Sequence, residues 1–212
     1  MSSRVVIGRA TFNRRTATKV KGGRVQRKNR HKPTGQDGCI LYRESPGRGF
    51  RHVVSKRDLQ AFIDIIPDWE RLSERLERIV LSTAKDGCDA EYDFYHREET
   101  GGIFLRAWRE DLWVELSADY FDAHEGILAK LGVSFDRRET IVLCRFTESQ
   151  ARAFMLLHVF LHELGHHHDH SRQKHLGATK GEDYAEKFAV SRFGLLLPEY
   201  VRVFGDPTGG NE

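Results

Sequence analysis

The stretch "HVFLHELGHHHDH", His158 to His170, puts six histidines and two acids into thirteen residues. It ends a longer helical segment, "ESQARAFMLLHVFLHELGHHHDH", that is apolar nearly all round as far as Leu164. A helix apolar on every side belongs in a core, so these histidines are read as the end of a buried helix and not as a solvated polar tail. His162-Glu163-Leu164-Gly165-His166 is an HExxH pattern. Residues four apart on a helix carry Cβ atoms about 5–6 Å from each other, so both imidazoles can reach one metal ion. Glu163 flanks that face, where it can act on a water without displacing a ligand, the position of a general base.

A catalytic zinc takes three protein ligands and keeps a fourth position open. The metzincin arrangement would require Gly at position 169 and His at 172, and this chain has Asp169 and Arg172. The remaining solution is a glutamate from a following helix. "GEDYAEKFAVSRFGLLLPEY", 181–200, offers Glu182 and Glu186, one turn apart. One can bind the metal while the other hydrogen-bonds a ligand imidazole, and spacing does not choose between them. Asp169 is a further candidate for orienting an imidazole, although capping or solvent exposure is its simpler role. His158 reads as a satisfied histidine near the core, and His167 and His168 as solvated. Tyr184 and Tyr200 are candidate hydroxyl donors to an oxyanion.

Upstream, "ETIVLCRF" (139–146) reads as a strand, followed by a capping-box pair, Thr147 and Gln150, that starts the long helix. "DYFDAHEGILAKL" (119–131) is a helix closed by Gly132. Residues 90–117 read as three strands of an antiparallel meander, and 39–55 as a hairpin. Residues 57–83 carry helical periodicity through Trp69, Leu72, Leu76, Ile79 and Val80, divided at Pro67 and ended at Asp86-Gly87. Trp69, Trp108 and Trp113 are read as core or edge packing.

"HELGHHHDH", then "EDYAEKFA", then "LLLPE" resembles the ImmA/IrrE-like metallopeptidases, whose members carry HExxH, E-x-x-A-N-x-F-A and L-L-x-P. The likeness covers about residues 139–200. It implies an α+β, zincin-like fold, with a small antiparallel sheet, a central HExxH helix and a following Glu-bearing helix. It also implies zinc held by His162, His166 and Glu182, with Glu163 as catalytic base. Glu186 stands where the family has Asn, which keeps it in view as an alternative ligand. Ala189 to Pro198 is about three residues longer than usual, so the last helix is expected to be extended or kinked. The expected activity is hydrolysis of peptide bonds in a protein or peptide substrate, by the resemblance a regulatory protein such as a DNA-bound repressor. The contrasting expectation is a non-catalytic, zinc-containing regulator that binds nucleic acid or a protein partner through the basic residues 1–36, which the presence of Glu163 disfavours.

Charge divides the chain in two. Residues 1–36 hold eleven of the 34 basic residues and no acid, while the rest carries 23 basic and 31 acidic residues. A basic N-terminal arm, 1–36, therefore precedes a mildly acidic domain, 37–212. "TATKVKGGRVQRK" in the arm fits a β-hairpin around Gly22-Gly23. A basic extended run is the electrostatic footprint of nucleic-acid binding. With Phe12 as its one aromatic, the arm is more simply a solvated tail or one docked on the acidic body. No apolar run approaches the about 20 residues that span a bilayer, and the N-terminus lacks a secretory h-region, so no membrane association and a cytoplasmic location are expected. Cys39, Cys88 and Cys144 show no metal or disulfide spacing and read as buried free thiols.

Overall fold

The computed structural model describes residues 38–85, 89–172 and 181–209, and the backbone of three short strands nearer the N-terminus. In chain order the elements are β1 (Val6–Ile7), β2 (Val20–Lys21), β3 (Arg24–Val25), β4 (Ile40–Arg43), β5 (Phe50–Arg51), α1 (Lys56–Asp64), α2 (Trp69–Leu72) and β6 (Leu76–Ser82). Then come β7 (Ala90–Tyr95), β8 (Thr100–Arg106), β9 (Trp108–Arg109), β10 (Trp113–Ser117), α3 (Ala118–Lys130), β11 (Ser134–Arg137) and β12 (Ile141–Arg145). One continuous helical rod follows: α4 (Glu148–Phe154), a π-helical turn (Met155–Phe160) and α5 (Leu161–Arg172). Helix α6 (Glu182–Phe204) closes the fold.

The chain mixes helices with small sheets, and its main sheet is not the antiparallel one expected. Five strands run in the order β1-β4-β6-β8-β7. β1, β4, β6 and β8 are parallel neighbours, and only β7, at the edge, is antiparallel. The reason is the connection. Parallel strands need a crossover, and α1 with α2 supplies it between β4 and β6. The helix expected through residue 83 therefore stops at Leu72. Arg75 takes a left-handed φ of 67°, and Leu76–Ser82 becomes a strand with every residue buried. Apolar residues at 76, 79 and 80 satisfy helical spacing, but they equally suit a strand covered on both faces. Its two charges are accommodated as a pair, Arg78 Nη2 donating to Glu77 Oε1 over 2.7 Å.

Two further strand expectations are corrected. Residues 39–55 do not form a hairpin: β4 joins the main sheet, while β5 pairs with β9. Gly47 and Gly49, both at positive φ, divert the chain between them. β7 and β8 do form the first hairpin of the meander, from Ala90↔Leu105 to Tyr95↔Thr100. β10, however, leaves it for a separate antiparallel sheet, β10-β12-β11, after Leu112 turns the chain at φ 57°. In the arm, β2 and β3 pair antiparallel across Gly22-Gly23. The arm's side chains, Asp86-Gly87 and Cys88 lie outside the described residues. Cys39 and Cys144 are free and buried. Trp69 and Trp108 are buried, whereas Trp113 is half exposed under the guanidinium of Arg145. Among the described residues no helix is long and apolar enough to cross a membrane.

The long rod starts as expected. Gln150 N–H donates to Thr147 Oγ1, and Thr147 N–H donates to Gln150 Oε1. Residues 153–161 are then buried without interruption. The rod packs against α6 with almost no clearance at Gly165, where a Cβ would stand 2.8 Å from Ala185 Cα and 3.2 Å from Phe188 Cβ. Glycine is needed there because backbone, not a flexible side chain, is the obstacle. α6 runs unbroken past Pro198 to Phe204, so of the extension or kink that the resemblance implied, the helix is extended.

Gly165→Ala should consequently force α5 and α6 apart. The expected loss is about 1–3 kcal/mol of stability, together with weaker divalent-metal binding, measured by urea unfolding and by zinc competition against a chromophoric chelator. Unchanged values for both would show that the helices relax freely.

Candidate metal centre

α5 and α6 bring His162, His166 and Glu182 together. His162 Nε2 lies 3.1 Å from Glu182 Oε2, and His166 Nε2 lies 3.5 Å from Glu182 Oε1. Ligands about 2.0–2.1 Å from a tetrahedral zinc are about 3.3–3.4 Å from each other, so these separations match the edges of such a site. The three donor atoms lie within 4.8 Å of one another and could hold a metal ion. Glu182 opens α6 beside Gly181, at φ 67°, and its side chain is exposed.

Glu186, one turn further along, takes the other side of the same imidazole. His162 Nδ1 donates to Glu186 Oε2 over 3.2 Å. A carboxylate only accepts, so this bond places a proton on Nδ1 and leaves Nε2 to face Glu182 and His166. Nε2 can meet the Glu182 carboxylate favourably only through a proton or a cation. Burial opposes the charged form of His162, but the Glu186 hydrogen bond and the neighbouring carboxylates outweigh it and raise the imidazole's pKa. The arrangement therefore calls for a positive charge at Nε2. Burial would also raise the Glu186 carboxyl, yet hydrogen bonds from His124 and His162 hold it well below the usual carboxylate range. Carboxylate-to-imidazole contacts of this kind orient metal ligands and make them more basic.

Glu163 is buried on the wall of the same cleft, of about 790 Å³, that the three donors line. Burial pushes its carboxyl up to about 7, against a partial counteraction from His162. Also on that wall is Tyr92 of the edge strand β7, its ring parallel to His166 with centroids 6.5 Å apart.

The sequence does not single out Tyr92, nor Tyr120 and His124 of α3, which also line the cleft. For His124 a signal existed: it shares a buried stripe with Phe121, Ile127 and Leu128, and a histidine on an apolar helical stripe needs a partner. Tyr92 offered none, because β7 is half-buried along its whole length.

Other assignments change. His167 and His168 are buried, not solvated. His167 Nε2 donates to the Glu74 carbonyl over 3.0 Å, so its Nδ1 accepts from the Tyr92 hydroxyl over 3.2 Å. Burial lowers this imidazole to about 4 and keeps it neutral. His168 Nδ1 meets the Tyr184 hydroxyl at 2.7 Å, which engages Tyr184 away from the cleft. Tyr200 is a core residue, stacked on Phe204. Asp169 is buried, not exposed, and lies outside both the cleft lining and the groups of candidate ligands. His158 is buried as expected, but it stands 6.2 Å from the His162 ring, against 4.9 Å between His162 and His166. The π-helical turn, with its wider i→i+5 bonding, takes it out of the ligand row.

In metal-free protein the Glu163 proton leaves the unfolded chain near the ordinary 4.5 and the folded chain near 7. A raised acid pKa means the folded state loses stability as pH climbs through that window. Metal-stripped Glu163→Gln should thus exceed stripped wild type by about 2–3 kcal/mol at pH 8 and by little at pH 4.5, read from urea midpoints. A pH-independent difference would mean that Glu163 ionises as an ordinary carboxylate. No family model, curated protein or solved structure matches the chain.

Proposed function

We propose that the protein is a zinc-dependent peptidase with a zincin-like site, acting on an extended segment of a protein or peptide substrate. The observation that carries this reading is the placement of Glu163: a buried carboxyl with a raised pKa, on the wall of an open cleft, flanking a His-His-Glu donor set. A purely structural zinc site has four protein ligands and no use for such a base. The resemblance of the HELGH and EDYAEKFA segments to ImmA/IrrE-like metallopeptidases points the same way.

His162, His166 and Glu182 would hold the ion, with Glu186 fixing the tautomer of His162. When bound, zinc supplies Lewis-acid chemistry, acidifying water and polarising a peptide carbonyl. Glu163 removes the proton from the attacking water and delivers it to the leaving amine. Its value near 7 suits both halves of that task, since the group must be a base first and an acid afterwards. A cation held by the three donors would lower this value and favour the base form of Glu163 at neutral pH. The Tyr92 ring lies parallel to that of His166 on the same wall. β7 is the terminal strand of its sheet, and a terminal strand can take up an extended peptide as an added strand. Tyr120 and Asp89 border the cleft beyond it and face the substrate's flanking residues. A cytoplasmic regulatory protein, DNA-bound or not, is the substrate class the resemblance suggests, with the basic arm 1–36 as the segment that would meet nucleic acid.

The test is metal content by plasma mass spectrometry and cleavage of a proteome-derived peptide library. Wild type should cleave. Glu163→Gln should keep His166-dependent zinc and lose about 10²–10⁴-fold in kcat/KM, while Glu182→Ala should bind zinc at least tenfold more weakly. Undiminished cleavage by Glu163→Gln would remove the base assignment, and tight zinc in Glu182→Ala would transfer the third ligand to Glu186. Metal-independent cleavage, or none by a zinc-loaded wild type, would overturn the reading.

A further inference from the structure

Behind the His162 imidazole the cleft holds a second convergence of donors. His124 comes from α3, His158 from the π-helical turn and Glu186 from α6. His124 Nδ1 lies 2.6 Å from the Tyr120 carbonyl and must donate to it. That leaves Nε2 to face Glu186 Oε1 across 3.4 Å, as a donor to the carboxylate or, once its proton is lost, as a ligand atom. A backbone carbonyl fixing the far nitrogen is the usual support of a metal-ligating histidine.

His158 supplies an independent observation. Its side chain is 2% exposed, its Nδ1 has no hydrogen-bond partner, and its Nε2 stands 3.9 Å from Glu186 Oε2, beyond hydrogen-bond reach. Buried polar nitrogens are almost always satisfied, so this imidazole is an exception that needs a partner. It is aimed at the same carboxylate as His124, with the two rings 4.7 Å apart, edge to face.

We propose that His124, His158 and Glu186 form a second divalent-metal site, distinct from the one formed by His162, His166 and Glu182. One donor atom from each residue lies within 4.8 Å of the others, and the 3.4 and 3.9 Å separations need only a small contraction to match a zinc-sized ion. Two imidazoles and one carboxylate select a borderline first-row ion such as zinc over calcium or magnesium. Glu186 belongs to both centres: Oε1 faces His124, while Oε2 accepts from His162 Nδ1. A cation at the second site draws charge from Glu186 and weakens its support of His162, so the two ions are coupled through one carboxylate.

The experiment is equilibrium dialysis of the metal-stripped full chain against zinc, with metal counted per chain. Circular dichroism verifies the fold of each variant. His158 and His166 each belong to one site only, so they separate this inference from the peptidase reading. Two equivalents are expected in wild type, and one each in His158→Ala, His124→Asn and His166→Ala; His124→Asn serves if His158→Ala does not fold. One equivalent in wild type, lost in His166→Ala and unaffected at 124 or 158, overturns the second site and leaves the first standing. Two equivalents that survive both His158→Ala and His124→Asn also overturn it, as would no zinc at all. One equivalent lost only through 124 or 158 supports this site and removes the first.

Discussion

His162 has a carboxylate on each side, and much of the structure follows from that. Glu182 and Glu186 are one helical turn apart on α6, so a single imidazole from α5 bridges both. The two helices can lie this close only because Gly165 and Ala185 present no side-chain bulk between them. The contact sets the distance between the helices, and the imidazole sets their rotation. A larger residue at 165 would separate the donors before it disturbed any of them directly. Residue 165 thus governs the spacing of the His and Glu side chains through packing, although its own side chain has no chemistry.

The remaining histidines of α5 obey the same constraint with different partners. A polar ring inside a core must find a hydrogen bond or lose stability. His167 finds Glu74 and Tyr92, which fastens α5 to the edge strand and to the turn before β6. Gly101 on β8 makes this possible, since a Cβ there would stand 2.7 Å from His167 Nδ1. His168 finds Tyr184 on α6. His170 stacks on Phe94 of β7. Residues that look like a polar tract are therefore three separate fastenings between α5 and its neighbours.

This explains which parts of the chain were legible. The HELGH pattern, the capping box at Thr147 and the two glutamates of 181–200 are local signals, and each falls where its spacing implies. The resulting candidate ligands converge as the pattern suggests, with Glu182 beside both histidines and Glu186 behind one. The parallel sheet was not legible, because the pairing of β4 with β6 is decided by a crossover and leaves no local mark. β6 was misread because an apolar run buried on both faces satisfies helical spacing by coincidence. His167 and His168 turn away from the face of His162 and His166, a direction that implies solvent, but there strand β7 and helix α6 cover them. His124 is some forty residues from the motif and could be joined to it only in three dimensions.

Charge in the cleft is arranged with the same economy. His162 is pulled toward its charged form by two carboxylates, while His158 and His167 are held neutral by burial, each down to about 4. Positive charge is thus favoured at His162, whose Nε2 faces Glu182, and at His124, which faces Glu186. Glu163 is adjacent in sequence but faces a drier environment, so its proton is retained to about 7. On the proposed function, a cation held between His162 and His166 would take the place of the His162 proton. It would also lower the Glu163 pKa across the cleft, so that binding at the donor set and ionisation of Glu163 would be coupled.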